Sequence, residues 1–272
     1  MFNAKLFTRT ALKMALSAGA LMAMVFISSC GSDDGEDPSP TIDVDALKQT
    51  AVVDFTDPLE LNLVGVTSYS TDLGTGYTFD QSGNEPDCGV ASSYIGVRDL
   101  GAIWGNGFSV AGWVNFDENR KFERILDLGM DLGLNIGDNI GENGAMNVPF
   151  ARLNETNDLA LTSWISDDGA VNKSTGRLIA EDAITNGSTI FYVGTITPSG
   201  EMAIYVNGEL IASKTDGHAV VNEARTSNFI GRSNWCYFDL DFKGSMSGLW
   251  VFNKPLNTEE ISALYQDGMT KL

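Results

Sequence analysis

Between Phe108 and Phe116 the chain alternates. Phe108, Val110, Val114 and Phe116 form one stripe, with Gly112 inside it, and Ser109, Ala111, Trp113 and Asn115 form the other. A period of two is that of an extended strand with one buried face. It sets Trp113 on the face opposite the Phe/Val stripe. Short apolar runs bounded by Gly, Asn, Asp and Pro continue from Val52 onwards. Gly76 to Asp80, Ser93 to Val97 and Arg124 to Gly129 read as further strands, with Gln81 to Ala91 as a polar loop. Thr189 to Ile196 and Glu201 to Val206 alternate about a Pro198-Ser199-Gly200 turn, and Glu209 to Ser213 returns after Asn207-Gly208. Asn-Gly between apolar runs predicts a tight hairpin, because both central positions need positive φ.

A helical period appears only near the C-terminus. Asn257 is placed as N-cap, Glu260 three residues later completes a capping box, and Ile261, Leu264 and Tyr265 share one face. Gly268 is expected just past the helix as its stop. Asn228 to Tyr265 therefore predicts a strand, a polar aromatic loop, a second strand, a Pro turn and a short helix. Strands so late in the chain are placed to pair back onto early ones and close a sandwich. The fold class that follows is all-β, two antiparallel sheets in a jelly roll with a short C-terminal helix. Residues 128–143 carry Gly every fourth position (LGMD, LGLN, IGDN, IGEN). A helix there would lose roughly 1 kcal/mol per Gly, so strand-loop-strand is expected. A divalent-cation loop is the other reading, although the spacing departs from an EF-hand.

Composition adds direction. Of 272 residues 43% are hydrophobic, 29 are Gly, and the formal charge is −19. The only charges before residue 30 are Lys5, Arg9 and Lys13, so the remainder holds 14 basic and 36 acidic residues, a net −22. A body so acidic argues against nucleic acid and against an anionic membrane surface as partners.

Those three basic residues precede an apolar stretch, Ala15 to Ile27, that is short for a membrane span. Ile27-Ser28-Ser29-Cys30 then resembles a bacterial lipobox. The resemblance implies a signal peptide over 1–29 and lipidation of Cys30, with the membrane reached through that anchor only. Residues 30–48 read as an acidic disordered tether, and 49–272 as the folded domain. Gly31-Ser32-Asp33-Asp34-Gly35-Glu36-Asp37-Pro38 resembles the export signal of Bacteroidetes surface lipoproteins, which implies the outer membrane, facing outside. Cys88 and Cys236 are left: either a disulfide, worth about 4–5 kcal/mol for so long a loop, or two unrelated small residues.

FSVAGWVNF, RILDLG, DNI at 138–140, IYVNGELIAS, FIGRSNW and FKGSMSGLWVFNKPLNTEEISALY, in that order, resemble the successive strands of laminin G-like domains of the concanavalin A-like lectin/glucanase superfamily. The resemblance covers about residues 50–268 and implies the jelly roll already read from the alternation. Two places depart from it. Phe191-Tyr192 stands where a Trp-His pair is usual, and Ser247-Gly248-Leu249 where Asp-Glu-Val is usual. The family binds sugars, proteins or Ca²⁺, so membership does not decide function.

The superfamily also includes glycosidases, which need two carboxyl groups across the scissile bond. The nearest run is Asp239-Leu240-Asp241, followed by Phe242 and Lys243, which gives two acids on one strand face and no third. No catalytic residue is assigned on this basis. One histidine, His218, excludes a multi-His zinc site. Sugar recognition needs a flat aromatic and planar polar groups; Trp235 and Tyr237 with Arg232 and Asn234 supply them in one loop. If a cofactor is bound, the resemblance implies calcium, at Asp80, whose family-like position often bears a ligand, with Asp239 from the closing loop beside it. The leading expectation is a non-catalytic glycan-binding surface lipoprotein for nutrient capture or adhesion. A glycoside hydrolase or polysaccharide lyase, and a protein-adhesion or structural module, are the alternatives.

Overall fold

The computed structural model describes residues 41–57, 61–81, 93–129, 148–163, 166–167, 170–171, 176–234 and 239–272. Cys30, Cys88, Cys236, Trp235, Tyr237 and most of the Gly-rich run lie outside the described residues. In chain order the strands are β1 (Val53–Asp54), β2 (Leu61–Val64), β3 (Val66–Thr71), β4 (Gly74–Phe79), β5 (Tyr94–Val97), β6 (Phe108–Phe116), β7 (Arg124–Gly129), β8 (Val148–Arg152) and β9 (Leu159–Thr162). They continue with β10 (Ser166–Asp167), β11 (Ala170–Val171), β12 (Arg177–Ala180), β13 (Thr189–Ile196), β14 (Met202–Val206), β15 (Glu209–Lys214), β16 (Ser227–Ile230) and β17 (Gly244–Phe252). Two α-helices, α1 (Val44–Lys48) and α2 (Thr258–Met269), flank them.

Two antiparallel sheets make the sandwich. One has eight strands in the order β15-β14-β13-β6-β17-β4-β3, with β1 also on β17; the other has seven, β12-β9-β8-β7-β16-β5-β2. The two late strands close both sheets: β16 lies between β7 and β5, and β17 between β6 and β4. The hairpin forms as predicted, with Asn207 at φ 52° and Gly208 at φ 82°.

The alternation decides which side chains meet. Across the seven-stranded sheet, Ile95, Ile230, Leu126, Phe150, Leu161 and Leu178 are successive cross-strand partners. All of them point into the main core, against Phe108, Val110, Val114 and Phe116 of β6. Trp113 lies on the opposite face, as its position in the alternation requires. There it joins Phe191, Trp250 and Phe252 under Leu47 of α1 and Ile261 and Leu264 of α2. The predicted capping box starts α2: Asn257 Oδ1 accepts from the Glu260 N–H at 2.8 Å, and Glu260 Oε2 accepts from the Asn257 N–H at 3.0 Å.

Two expectations are corrected. The folded unit begins at Thr41, not at residue 49. α1 is built from residues assigned to the tether, because Leu47 buries in the helix-covered cluster and Lys48 Nζ reaches Asp267 Oδ2 at 2.6 Å. Gly268 does not stop α2 but lies within it, buried, where a Cβ would collide with the Trp113 indole. The two family departures are structural. Phe191 packs under α2 and Tyr192 in the main core, and Gly248 (φ 55°) sits in a bulge between Ser247 and Trp250.

Candidate functional site

With helices on the outer face of the eight-stranded sheet, the outer face of the seven-stranded sheet is where polar side chains gather. The same period of two that sends Leu126 and Phe150 inward sends their neighbours outward. One outward row runs Asn62, Gly96, Phe229, Asp127, Pro149. A second runs Arg124, Ala151, Ala160, Ile179, and Thr162 faces Arg177 beside it.

The loop after β16 folds over part of this face. Gly231 turns it at φ 81°, where a Cβ would strike the Phe79 ring. Arg232 then lies over half-buried Tyr94 and Phe229, at 4.8 and 5.1 Å from the ring centroids, and the two rings pack edge to face at 5.6 Å. Asn234 caps Asp127: its backbone N–H donates to Oδ2 and its Nδ2 to Oδ1, each at 3.0 Å. Ser227 Oγ in turn donates to Asn234 Oδ1 at 2.7 Å.

Arg124 joins two acids beneath the loop. Its Nη2 donates to Asp239 Oδ2 at 2.5 Å and its Nε to Asp127 Oδ2 at 3.4 Å. Ser233 Oγ donates to the same Asp239 oxygen at 2.7 Å. Burial pushes the Asp239 carboxyl up, and Arg124 pulls against it. Farther along the sheet, Arg177 Nε donates to Thr162 Oγ1 at 3.3 Å. Burial first, and then the charge of Arg124, hold the Arg177 guanidinium below its usual value. Among the described residues, Arg124, Pro149, Ala151, Ala160, Thr162 and Arg177 line a small recess of about 10 Å³, room for about one water molecule.

The expected site residues fall out unevenly. Arg232 and Asn234 do come together over this face, but both are buried and engaged, one on two rings and one on Asp127. They hold the loop down and do not present free recognition groups. Their polarity gave no hint of this, because a loop looks equally polar in sequence whether water or a buried acid is its partner. Asp80 is exposed at the end of β4, whereas Asp239 is buried against a guanidinium. A cation-binding oxygen does not carry an Arg contact at 2.5 Å, so Asp239 does not fit a calcium ligand and no calcium chemistry is derived from it. Among the described residues no group of three His, Cys, Asp or Glu converges.

Residues 239–243 are not a strand, so alternation does not set Asp239 and Asp241 on one face. Asp241 Oδ2 accepts from Gln81 Nε2 at 3.0 Å, away from the Arg124 pair, and burial pushes its carboxyl up to about 6. The residues that sequence reasoning passed over are Arg124 and Arg177. The first carried a signal: two charges, Arg124 and Asp127, inside an otherwise apolar strand need buried partners. Arg177 carried none.

A laminin G-type family model, described as the concanavalin A-like lectin/glucanases superfamily, matches residues 89–262, well over half of the chain. The chain belongs to this superfamily. No curated protein is similar enough in sequence to match it. Solved structures agree with the superfamily fold. Domain 4 of AbnA, a GH43 extracellular arabinanase from Geobacillus stearothermophilus, solved with arabinotriose, is 15% identical with a TM-score of 0.51, over 78% of this chain and 93% of that one. The botulinum neurotoxin serotype D binding domain is 13% identical with a TM-score of 0.56, over 83% of this chain and 53% of that one. The botulinum neurotoxin DC binding domain, solved with SialylT, is 13% identical with a TM-score of 0.53, over 81% and 52%. This chain thus spans about half the length of the toxin domains. At such identities the likeness concerns the fold of the superfamily, a two-sheet jelly roll, and leaves each site to be argued from its own residues.

Proposed function

We propose that this is a non-catalytic glycan-binding module on a surface lipoprotein, anchored through Cys30 to the outer membrane and serving nutrient capture or adhesion. The observation that carries the reading is the match of residues 89–262 to the concanavalin A-like lectin/glucanases superfamily. Relatives of the same fold solved with arabinotriose and with SialylT support a glycan as the ligand class.

The deciding experiment is a glycan array and affinity electrophoresis on the folded domain, residues 41–272 included. Binding of at least one glycan is the expected result. A folded protein that retains no glycan sinks the proposal and favours a protein partner; reducing-end release from a polysaccharide panel instead favours an enzyme. The anchor is tested separately, by labelled-lipid incorporation that Cys30→Ser abolishes.

A further inference from the structure

β15 ends the eight-stranded sheet on one side, and among the described residues no strand pairs with its outer edge. β12, the end strand of the other sheet, lies beside it, so both sheets of the sandwich end here. An uncovered strand edge offers its backbone groups to another strand. β15 also offers apolar side chains: Leu210 is 55% exposed and Ile211 46%. On β2 and β12, Leu63 and Ile179 are exposed singly, which is ordinary for a surface.

A bulge sets the pattern of this edge. Tyr205 faces Leu210 and Ile204 faces Ala212, so Ile211 is the extra residue. Without it Glu209 and Lys214 would fall on opposite faces of the strand, because side chains alternate. With it they share a face: Glu209 stands opposite Val206 and Lys214 opposite Met202 of β14. Leu210 and Ser213 share the other face, opposite Tyr205 and Ala203.

We propose that β15 is a self-association edge, pairing antiparallel with β15 of a second copy of this chain about a two-fold axis. In full overlap Glu209 meets the partner's Lys214, Leu210 meets the partner's Ser213, and the reverse pairs follow by symmetry. Ile211 and Ala212 of both copies surround the axis. Two opposite-charge pairs then bracket an apolar centre, and charges directly opposed across strands favour that register. A slip of two residues takes Lys214 to the partner's Asn207, or Glu209 to the partner's Asp216. Parallel pairing in register sets Glu209 beside its own copy. Lys214 Nζ also lies 3.8 Å from exposed Asp216, a contact weak enough in water to leave the lysine open to a second acid. The complementarity is internal to the strand, and that is why the occupant is a copy of this chain. In a body of net −22 past residue 29, β15 holds one acid and one base, so this edge adds nothing to the repulsion between copies. One short edge is small against the ~1,200–2,000 Å² of stable interfaces, so the dimer is reversible and forms as concentration rises. It would give a glycan-binding module two sites per particle, but it does not depend on that function.

The test is sedimentation of the folded unit, residues 41–272, over a concentration series. The expected result is a monomer–dimer equilibrium. Glu209→Lys and Lys214→Glu each place like charges at both ends of the pairing and weaken the dimer at least tenfold. Mixing those two variants restores association, because each then meets opposite charges on the other; no other face of the molecule predicts this recovery. Ile211→Asn changes a side chain exposed in the single copy, and it weakens the dimer too, which keeps the test informative if a charge reversal folds poorly. A protein that stays monomeric at the highest concentration overturns the proposal. So does a dimer that both reversals leave intact, or one that the mixture of folded variants does not recover.

Discussion

Glu123 and Arg152 meet at 2.6 Å with neither side chain exposed. Arg152 has no idle donor: Asn119, Thr156, Asn157, Asn186 and the Glu118 carbonyl take the remaining guanidinium hydrogens, and Phe116 lies 4.8 Å below it. The pair ties the loop before β7 to the end of β8.

Burial pushes Glu123 up to about 7 despite Arg152, and Asp241 up to about 6. For a carboxyl raised on folding, the native state keeps a proton that the unfolded chain has already released. Stability therefore falls as pH rises from the ordinary carboxylate range through about 7. Thermal midpoints are expected to drop between pH 5 and pH 8, with a shallower drop in Glu123→Gln. Parallel profiles for the two proteins would refute the assignment.

Arg124 holds two buried carboxylates, Asp127 and Asp239. Arg124→Met leaves both without that cation, a change that costs about 3–5 kcal/mol for buried pairs. Urea unfolding is expected to show a loss of that order. Combining it with Asp239→Asn should recover part of the loss, since the two sites are coupled; strict additivity would mean the contact contributes nothing.

Gly268→Ala tests how α2 sits on the sheet. In an exposed helix interior this change gains about 1 kcal/mol. Here the added methyl meets the Trp113 indole, which is buried and stacked with Tyr265 at 5.9 Å. Overpacking of this kind costs about 1–3 kcal/mol, so a net loss in the urea midpoint is expected. A more stable variant would show that α2 does not rest on Trp113.

Tyr192 carries a phenol oxygen with no hydrogen-bond partner among the described residues, deep in the main core. Burial drives its pKa well above the usual value. Tyr192→Phe removes an unsatisfied polar atom and keeps the ring, so stability is expected to hold or rise by about 1 kcal/mol. A clear fall in the denaturation midpoint would reveal a partner for the hydroxyl.

The sequence by itself determined which faces are apolar. The alternation in β6, β13 and β14, the Asn207-Gly208 turn and the Asn257–Glu260 cap are local rules acting over a few residues, and each appears in the structure as read. They suffice for two sheets with a helix on the Trp113 side. The short strands β8, β9 and β12 were not legible one by one, since four or five residues hold too little period to separate a strand from a loop. Local reading also could not show that Arg232 and Asn234, candidates for sugar contact, are engaged within the fold. What makes Asn234 structural is Asp127, 107 residues earlier, and no local pattern carries that distance. The tertiary structure alone decided which polar residues face a partner and which face the recess, because burial of a charge is settled by what the second strand brings to it. The alternation could place Arg124 in a strand; only the packing of β7, β8, β9 and β12 side by side could set it across two alanines from Arg177.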